Sequence, residues 1–456
     1  MISRNVGVAV LVAGAMALGG CSTVSAVGDV AGKLVPSFGK KDKPQEVAGD
    51  GRRISIIAFD QRVEAAEALK GIEFFIPPAL PQADWPQPGG LGEFNVENVE
   101  AAPAFEIAWR RGFGKGSSRS SHITTGPIVA DGRVYVMDAE TDLSAIDAKT
   151  GALIWKKSFH PRTKRDKDGF GGGVAYADGK LYASSGFRMV AQLDAATGAA
   201  GWTRKTDSPI HGAPIVSHGR MFVVSTDNEL LTYDMASGTP GWTYQALVEP
   251  ARILSSPSPA VSGDTVVAAF ASGEVVALRT ANGNDLWNNT LSKASRTTAL
   301  SEIRDVAGRP VIHMGDVYAA SHGGIFASTD LRTGQARWSL PVASIDTPKP
   351  AGDVVYLISQ AGEVICASRE SGQVYWIKDL NAGVKKSKDR SLFSGPVLAS
   401  DRLVVVSSDG RAIALNPKTG EVLKTLKLGS AVLTSPVAVN GMIYVVTDKG
   451  ELVAIR

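Results

Sequence analysis

Cysteine is nearly absent, with 2 residues in 456. No disulfide framework and no cysteine-based zinc cluster can be built from so few. Histidine is scarce too, at 6 residues. Neither sign of charge dominates: 48 Lys and Arg face 45 Asp and Glu, for a formal net charge of +3. That balance argues against a dedicated nucleic-acid binder, which would carry a strong basic excess or stripe. Charged residues at 20% and apolar residues at 44% exclude wholesale disorder. The chain has no Gly-x-Ser-x-Gly elbow, no phosphate loop and no HExxH motif. Gly171-Gly172-Gly173 leads into a strand-like run rather than a helix, which argues against a phosphate cradle. Glycine, by contrast, is abundant at 49 residues, which favours many tight turns.

The first twenty residues read as an address. Arg4 supplies a short positive region, and residues 6–18 follow without a charge. That run is too short for a bilayer core, which needs about 20 helical residues. It has the dimensions of a signal-peptide apolar region. It ends in Leu18-Gly19-Gly20-Cys21, which resembles the bacterial lipobox. The resemblance implies cleavage before Cys21 and lipidation of its thiol. Ser22 follows where an Asp would resemble an inner-membrane retention signal, so an outer-membrane anchor is implied. Residues 21–52 then read as a flexible tether. Residues 53–102 form an N-terminal extension, with a short helix expected over 63–69. Pro77, Pro78, Pro81, Pro86 and Pro88 exclude regular structure over 76–90.

One unit repeats from residue 103 to 456. Asp147-Ala148-Lys149-Thr150-Gly151 leads to Trp155, and the same turn leads from Asp194 to Trp202, Asp234 to Trp242 and Asp330 to Trp338. In each the Gly stands four residues before the Trp. Degraded copies keep the spacing at Gly283 to Trp287 and Gly372 to Trp376, while Gly420 leads to Lys424. The Asp side chain can accept turn N–H groups, and the Gly takes the positive φ that the turn requires. Upstream, runs such as Gly132-Arg133-Val134-Tyr135-Val136 alternate at period two and read as strands. Markers from Trp109 to Lys424 recur about every 45 residues, the period of a four-stranded propeller blade. Eight marked positions predict an all-β, eight-bladed β-propeller of four-stranded antiparallel blades. The last unit lacks a final strand and residues 105–109 form a strand with no unit before it. The ring is therefore expected to close by pairing the N-terminal strand with the last blade, which removes exposed edges.

These turns and tryptophans resemble the PQQ-like β-propeller repeat. Together with the lipobox and tether, the chain is similar to the BamB family, lipoproteins of the outer-membrane β-barrel assembly machinery. The resemblance implies a non-enzymatic scaffold, lipid-anchored on the periplasmic face of the outer membrane. It implies binding to the periplasmic repeats of BamA and help with insertion of β-barrel clients, with no cofactor and no metal. It places the partner-binding loops at Arg252, Ile253 and Leu254, and at Arg304 and Asp305 on the next loop. Ala307 replaces the second acid of the family's pattern. Chain spacing points to the same region: 51 residues separate Trp287 from Trp338, the longest interval, with the excess in 291–309.

Two alternatives stand beside this reading, a PQQ-dependent quinoprotein dehydrogenase and a ligand-sensing propeller. The enzyme would need a calcium site of carboxylate and amide oxygens beside the quinone. Here the Asp residues cluster in turns, and the adjacent cysteine pair often seen in such enzymes is absent. The His residues are scattered; His211 and His218 lie seven apart with no third ligand nearby. Cys366 sits in an apolar run and reads as a small buried hydrophobe. Two basic stretches, 156–168 and 384–390, read as solvated loops with a lesser claim to lipid or partner contact.

Overall fold

Alternating apolar residues between glycine turns can bury one face only by stacking sheet on sheet, and the chain does this eight times. The computed structural model describes residues 63–91, 94–159, 169–248, 257–291 and 305–456. Each blade has a short inner strand, two middle strands and an exposed outer strand. In blade 1 these are Ile128–Ala130, Arg133–Met137, Asp142–Asp147 and Leu153–Ser158. Blades 2 to 7 span residues 172–205, 215–245, 260–290, 311–340, 349–379 and 393–427, each an antiparallel four-stranded sheet in chain order. Blade 8 takes Val437–Val439, Met442–Thr447 and Glu451–Ile455, and its outer strand is Ile107–Gly112. That closing pair runs antiparallel from Gly112 opposite Glu451 to Ile107 opposite Ile455. Glu106 and Arg456 then exchange both backbone hydrogen bonds, at 3.0 and 2.7 Å. The ring is shut by its own first strand, as the orphan strand predicted.

The repeated Trp is the one buried residue of outer strands such as Leu153–Ser158, and a β-bulge precedes it in the ladder. Its indole docks on the next blade. Trp155 Nε1 donates to Ala195 O at 3.1 Å, Trp287 Nε1 to Leu331 O at 2.7 Å and Trp376 Nε1 to Pro417 O at 3.2 Å. The turn Gly of that next blade lies under the ring. A Cβ on Gly198 would come within 2.8 Å of Trp155, and one on Gly334 within 2.6 Å of Trp287. Each Gly thus meets two demands, a positive φ and a close approach to the preceding blade's Trp. Tyrosines at the third position of second strands share the acceptors: Tyr135 donates to Ala195 O and Tyr356 to Pro417 O.

The missing aromatic at Lys424 now has a reason. Its docking partner would be the turn between the third and outer strands of blade 8. There the third strand, Glu451–Ile455, and the outer strand, Ile107–Gly112, are not joined by a turn, so no turn Gly stands there to receive a ring. Lys424 Nζ instead donates to Ala104 O at 2.9 Å, tying blade 7 to the segment that enters the closing strand.

The turn aspartates act as expected. Asp147 Oδ1 accepts from the Thr150 hydroxyl and amide at 2.7 Å each and from Lys149 N at 3.1 Å. Hydrogen bonds from the hydroxyls of Thr150, Thr197, Ser237 and Thr333 hold the carboxyls of Asp147, Asp194, Asp234 and Asp330 below the usual range. A depressed carboxyl stabilises the fold above its unfolded value, near 3.9, and that contribution fades as pH falls through the folded value. Melting temperature is therefore expected to drop below about pH 4. Asn at all four positions should flatten that drop; an unchanged slope would contradict the assignment.

The extension crosses one face of the ring. Call the end where inner strands turn into second strands the hairpin face, and the end where outer strands lead to the next blade the connection face. Residues 66–102 track the hairpin face. Ala66 N donates to Val374 O at 2.8 Å, and Asp353 N to Phe75 O at 3.0 Å. Asn440 N bonds Gln82 O, Trp85 and Val129 exchange both backbone bonds, and Tyr176 N bonds Pro86 O. The Gln87 amide pairs with both backbone groups of Val216 at 2.9 and 3.0 Å. Ser400 N reaches Val99 O and Ala102 N reaches Gly441 O, both at 2.8 Å. The expected helix is a single 3₁₀ turn, Glu67–Leu69. The proline-rich stretch pairs through isolated bridges such as Leu80 with Val99.

Candidate functional site

With the hairpin face occupied by the chain's own extension, the connection face is the open one. Its geometry is set by loops anchored on blade cores. After the outer strand of blade 3, Leu247 and Val248 are 70% and 75% exposed. They are held firmly: Asn228 Nδ2 donates to Leu247 O at 2.6 Å, and Leu247 N donates to Glu274 Oε2 at 2.8 Å. Glu274 itself is buried, and bonds from Asn288 and the Leu247 amide oppose its burial and hold its carboxyl low. Ile345, Leu392 and Leu433, on other connections, are exposed as well. The sequence signal for Leu247 and Val248 is an apolar pair at a place where loops are normally polar, four residues before Arg252.

Cys21, Arg252, Ile253, Leu254 and Arg304 lie outside the described residues. Asp305 is described, and it is 2% exposed, with its carbonyl accepting from His322 N at 2.8 Å. Val306 and Ala307 are buried beside it. The end of the long connection therefore dives into the ring instead of standing in solvent.

The basic stretches differ. Lys156 is structural: its ammonium pairs with Asp142 at 3.1 Å and Asp138 at 3.5 Å and donates to Phe113 O at 3.0 Å. Residues 160–168 lie outside the described residues. The other stretch is exposed over 385–390, and its base is clamped by buried Asn381, which exchanges 3.0 Å bonds with Ser391. His211 stacks on Phe170 with centroids 4.3 Å apart, while His218 sits in a hairpin turn beside the Ser217 hydroxyl. Cys366 is fully buried, and burial pushes its thiol well up, away from reactivity. Among the described residues no three His, Cys, Asp or Glu side chains converge to hold a metal ion, and no helix is long and apolar enough to cross a membrane.

The central channel is a cup of about 510 Å³. Trp85, Pro88 and Gly89 of the extension line its floor, and Ser117, His122, Ile345 and Leu433 line its wall toward the connection face. Two cations reach it. Arg309 lies against Gly89, where a Cβ would displace its guanidinium, and Nε approaches Pro259 O at 3.4 Å. Burial pulls its guanidinium down to about 10. Lys349 donates to Val96 O and lies 6.0 Å from the centre of the Trp85 ring. Burial pulls its ammonium down to about 7, opposed in part by Glu97. Burial pushes the Asp346 carboxyl up to about 8, opposed by a Gly395 backbone bond.

Comparison with known proteins agrees with this architecture. A family model described as "Outer membrane protein assembly factor BamB" matches residues 101–166, 140–378 and 381–456. The outer membrane protein assembly factor BamB of Moranella endobia is 26% identical, over 72% of this chain and 84% of its own. That of Salmonella typhimurium is 25% identical, over 80% and 93%. The crystal structure of BamB from Moraxella catarrhalis superposes with a TM-score of 0.64 at 20% identity, covering 76% of this chain and 98% of its own. Quinohemoprotein alcohol dehydrogenase from Comamonas testosteroni also reaches 0.64, at 16% identity, which is a likeness of fold alone. The extension before residue 101 lies outside the family match.

Proposed function

Because this chain belongs to the BamB family of outer membrane protein assembly factors, we propose that it is a non-enzymatic scaffold of the β-barrel assembly machinery, binding BamA through its connection face. Cys21 is its lipid anchor, holding the propeller at the periplasmic side of the outer membrane, and unfolded β-barrel proteins are its clients. The observation that carries the reading is the asymmetry of the two faces. The hairpin face spends its backbone groups on the extension, whereas the connection face presents Leu247 and Val248 on a braced loop. An exposed apolar pair on a loop already held by hydrogen bonds loses little ordering entropy when a partner covers it. In this reading Arg252, Ile253 and Leu254 continue that patch. Arg304 and Asp305 edge it from the next connection, with Asp305 shaping the loop from inside.

Two variants test it. Arg252→Glu, and Leu247→Asp with Val248→Asp, are each expected to cut BamA recovery in pull-downs from membranes by about tenfold or more. Melting temperature should stay nearly unchanged, since Leu247 and Val248 are exposed and bury no core surface. Wild-type recovery by both variants would remove the connection face from the assignment.

A further inference from the structure

The blind channel holds two cations that the scaffold role does not use. Lys349 is buried and Arg309 half-buried, and a cation withdrawn from water is stable only when paired or well hydrogen-bonded. Among the described residues neither Arg309 nor Lys349 forms an ion pair. Arg309 has one long bond to Pro259 O, and Lys349 has the Val96 carbonyl. Asp346, the acid that shares the cup, is half-buried and takes a backbone bond from Gly395. The walls between are apolar, from Ile123, Val311 and Val397. The volume of about 510 Å³ falls within the range of pockets for small organic ligands.

We propose that this cup is a binding site for a small organic carboxylate, entering from the connection face and held by the Arg309 guanidinium and the Lys349 ammonium above the Trp85 ring. The planar fork of Arg309 matches a carboxylate's two oxygens, and its bonds would be charge-assisted. The apolar walls favour a hydrocarbon or aromatic body over a bare inorganic ion. The extension makes the site: without Trp85, Pro88 and Gly89 the channel would have no floor here, and Arg309 would have no wall to lie against. Binding needs no covalent step and no second reactant.

The test is isothermal titration of the full-length protein with benzene-1,4-dicarboxylate, with its uncharged diamide and inorganic phosphate as parallel arms. One dicarboxylate per chain is expected, with the diamide and phosphate each at least tenfold weaker. Arg309→Met should weaken dicarboxylate binding about tenfold or more through the lost charge-assisted bonds. If that variant fails to fold, Ile345→Asp serves instead, because Ile345 is exposed at the mouth. Its added negative charge should weaken binding about threefold. No binding at millimolar dicarboxylate would overturn the proposal. So would equal binding of the diamide or phosphate, or an affinity untouched by both substitutions.

Discussion

A chain that begins at residue 113 is expected to lose the closed ring, while one that begins at residue 103 keeps it. The first lacks Ile107–Gly112, the outer strand of blade 8. Its loss bares one edge of Glu451–Ile455, whose residues 452–455 are fully buried. It also removes Phe105, which is fully buried, and Trp109, which covers Gly151 of blade 1 within 2.7 Å of a would-be Cβ. Deleting two large aromatics from a packed joint costs on the order of 5 kcal/mol or more. That is a large share of the roughly 5–15 kcal/mol that holds a domain together. An unpaired edge beside exposed apolar surface invites association. The expected result is a fall in melting temperature together with aggregation by light scattering. A synthetic peptide of residues 101–114 added during refolding should restore solubility. The chain beginning at 103 loses the extension and its hydrogen bonds, yet keeps every strand of the ring. Equal behaviour of the two truncated chains would contradict closure by the first strand.

Gly334→Ala is expected to destabilise by about 2–4 kcal/mol, and Gly315→Ala by only about 1 kcal/mol. Both lie in blade 5 with positive φ, +72° and +81°. A Cβ at Gly334 would press on Trp287 Cβ and Cγ at 2.6 Å, close to that residue's backbone, where the ring cannot swing aside. A Cβ at Gly315 meets nothing within 4 Å. The strain of a left-handed alanine is common to both, so their difference isolates the Gly–Trp contact between blades. Denaturant unfolding of the two variants measures it. Equal losses would show that the turn alone needs the glycine.

The Gly-to-Trp spacing shows what a sequence can and cannot carry. It marked the turn, the outer strand and the blade count, because those are local consequences of period and positive φ. It did not reveal that each Gly serves the Trp of the preceding blade, some forty residues earlier. That contact exists only once the ring is stacked. Lys424 marks the joint where two strands far apart in sequence pair, with no turn between them to dock on. The extension was illegible for another reason. Prolines erased its periodicity, and its pairing to the ring is by single bridges such as Val99 with Ala399 and Ala101 with Gly441. Nothing in the neighbours of Arg309 and Lys349 along the chain signals that the extension lies against them as the floor of the channel. The resemblance names Asp305 as a partner-binding residue; its 2% exposure, beside buried Val306 and Ala307, arises only in the folded ring and has no signal along the chain.

The orientation of the propeller toward its partner is the claim on which the functional account rests. Crosslinking mass spectrometry on intact outer membranes addresses it directly. Lysines on the connection face, Lys385 and Lys386, and Lys293 in the connection between blades 4 and 5, are predicted to form links to BamA. Lys70, Lys149 and Lys418, on the extension and the hairpin face, are predicted to form none. Links gathered at Lys70, Lys149 and Lys418 would place the partner on the face that the extension covers and contradict the account.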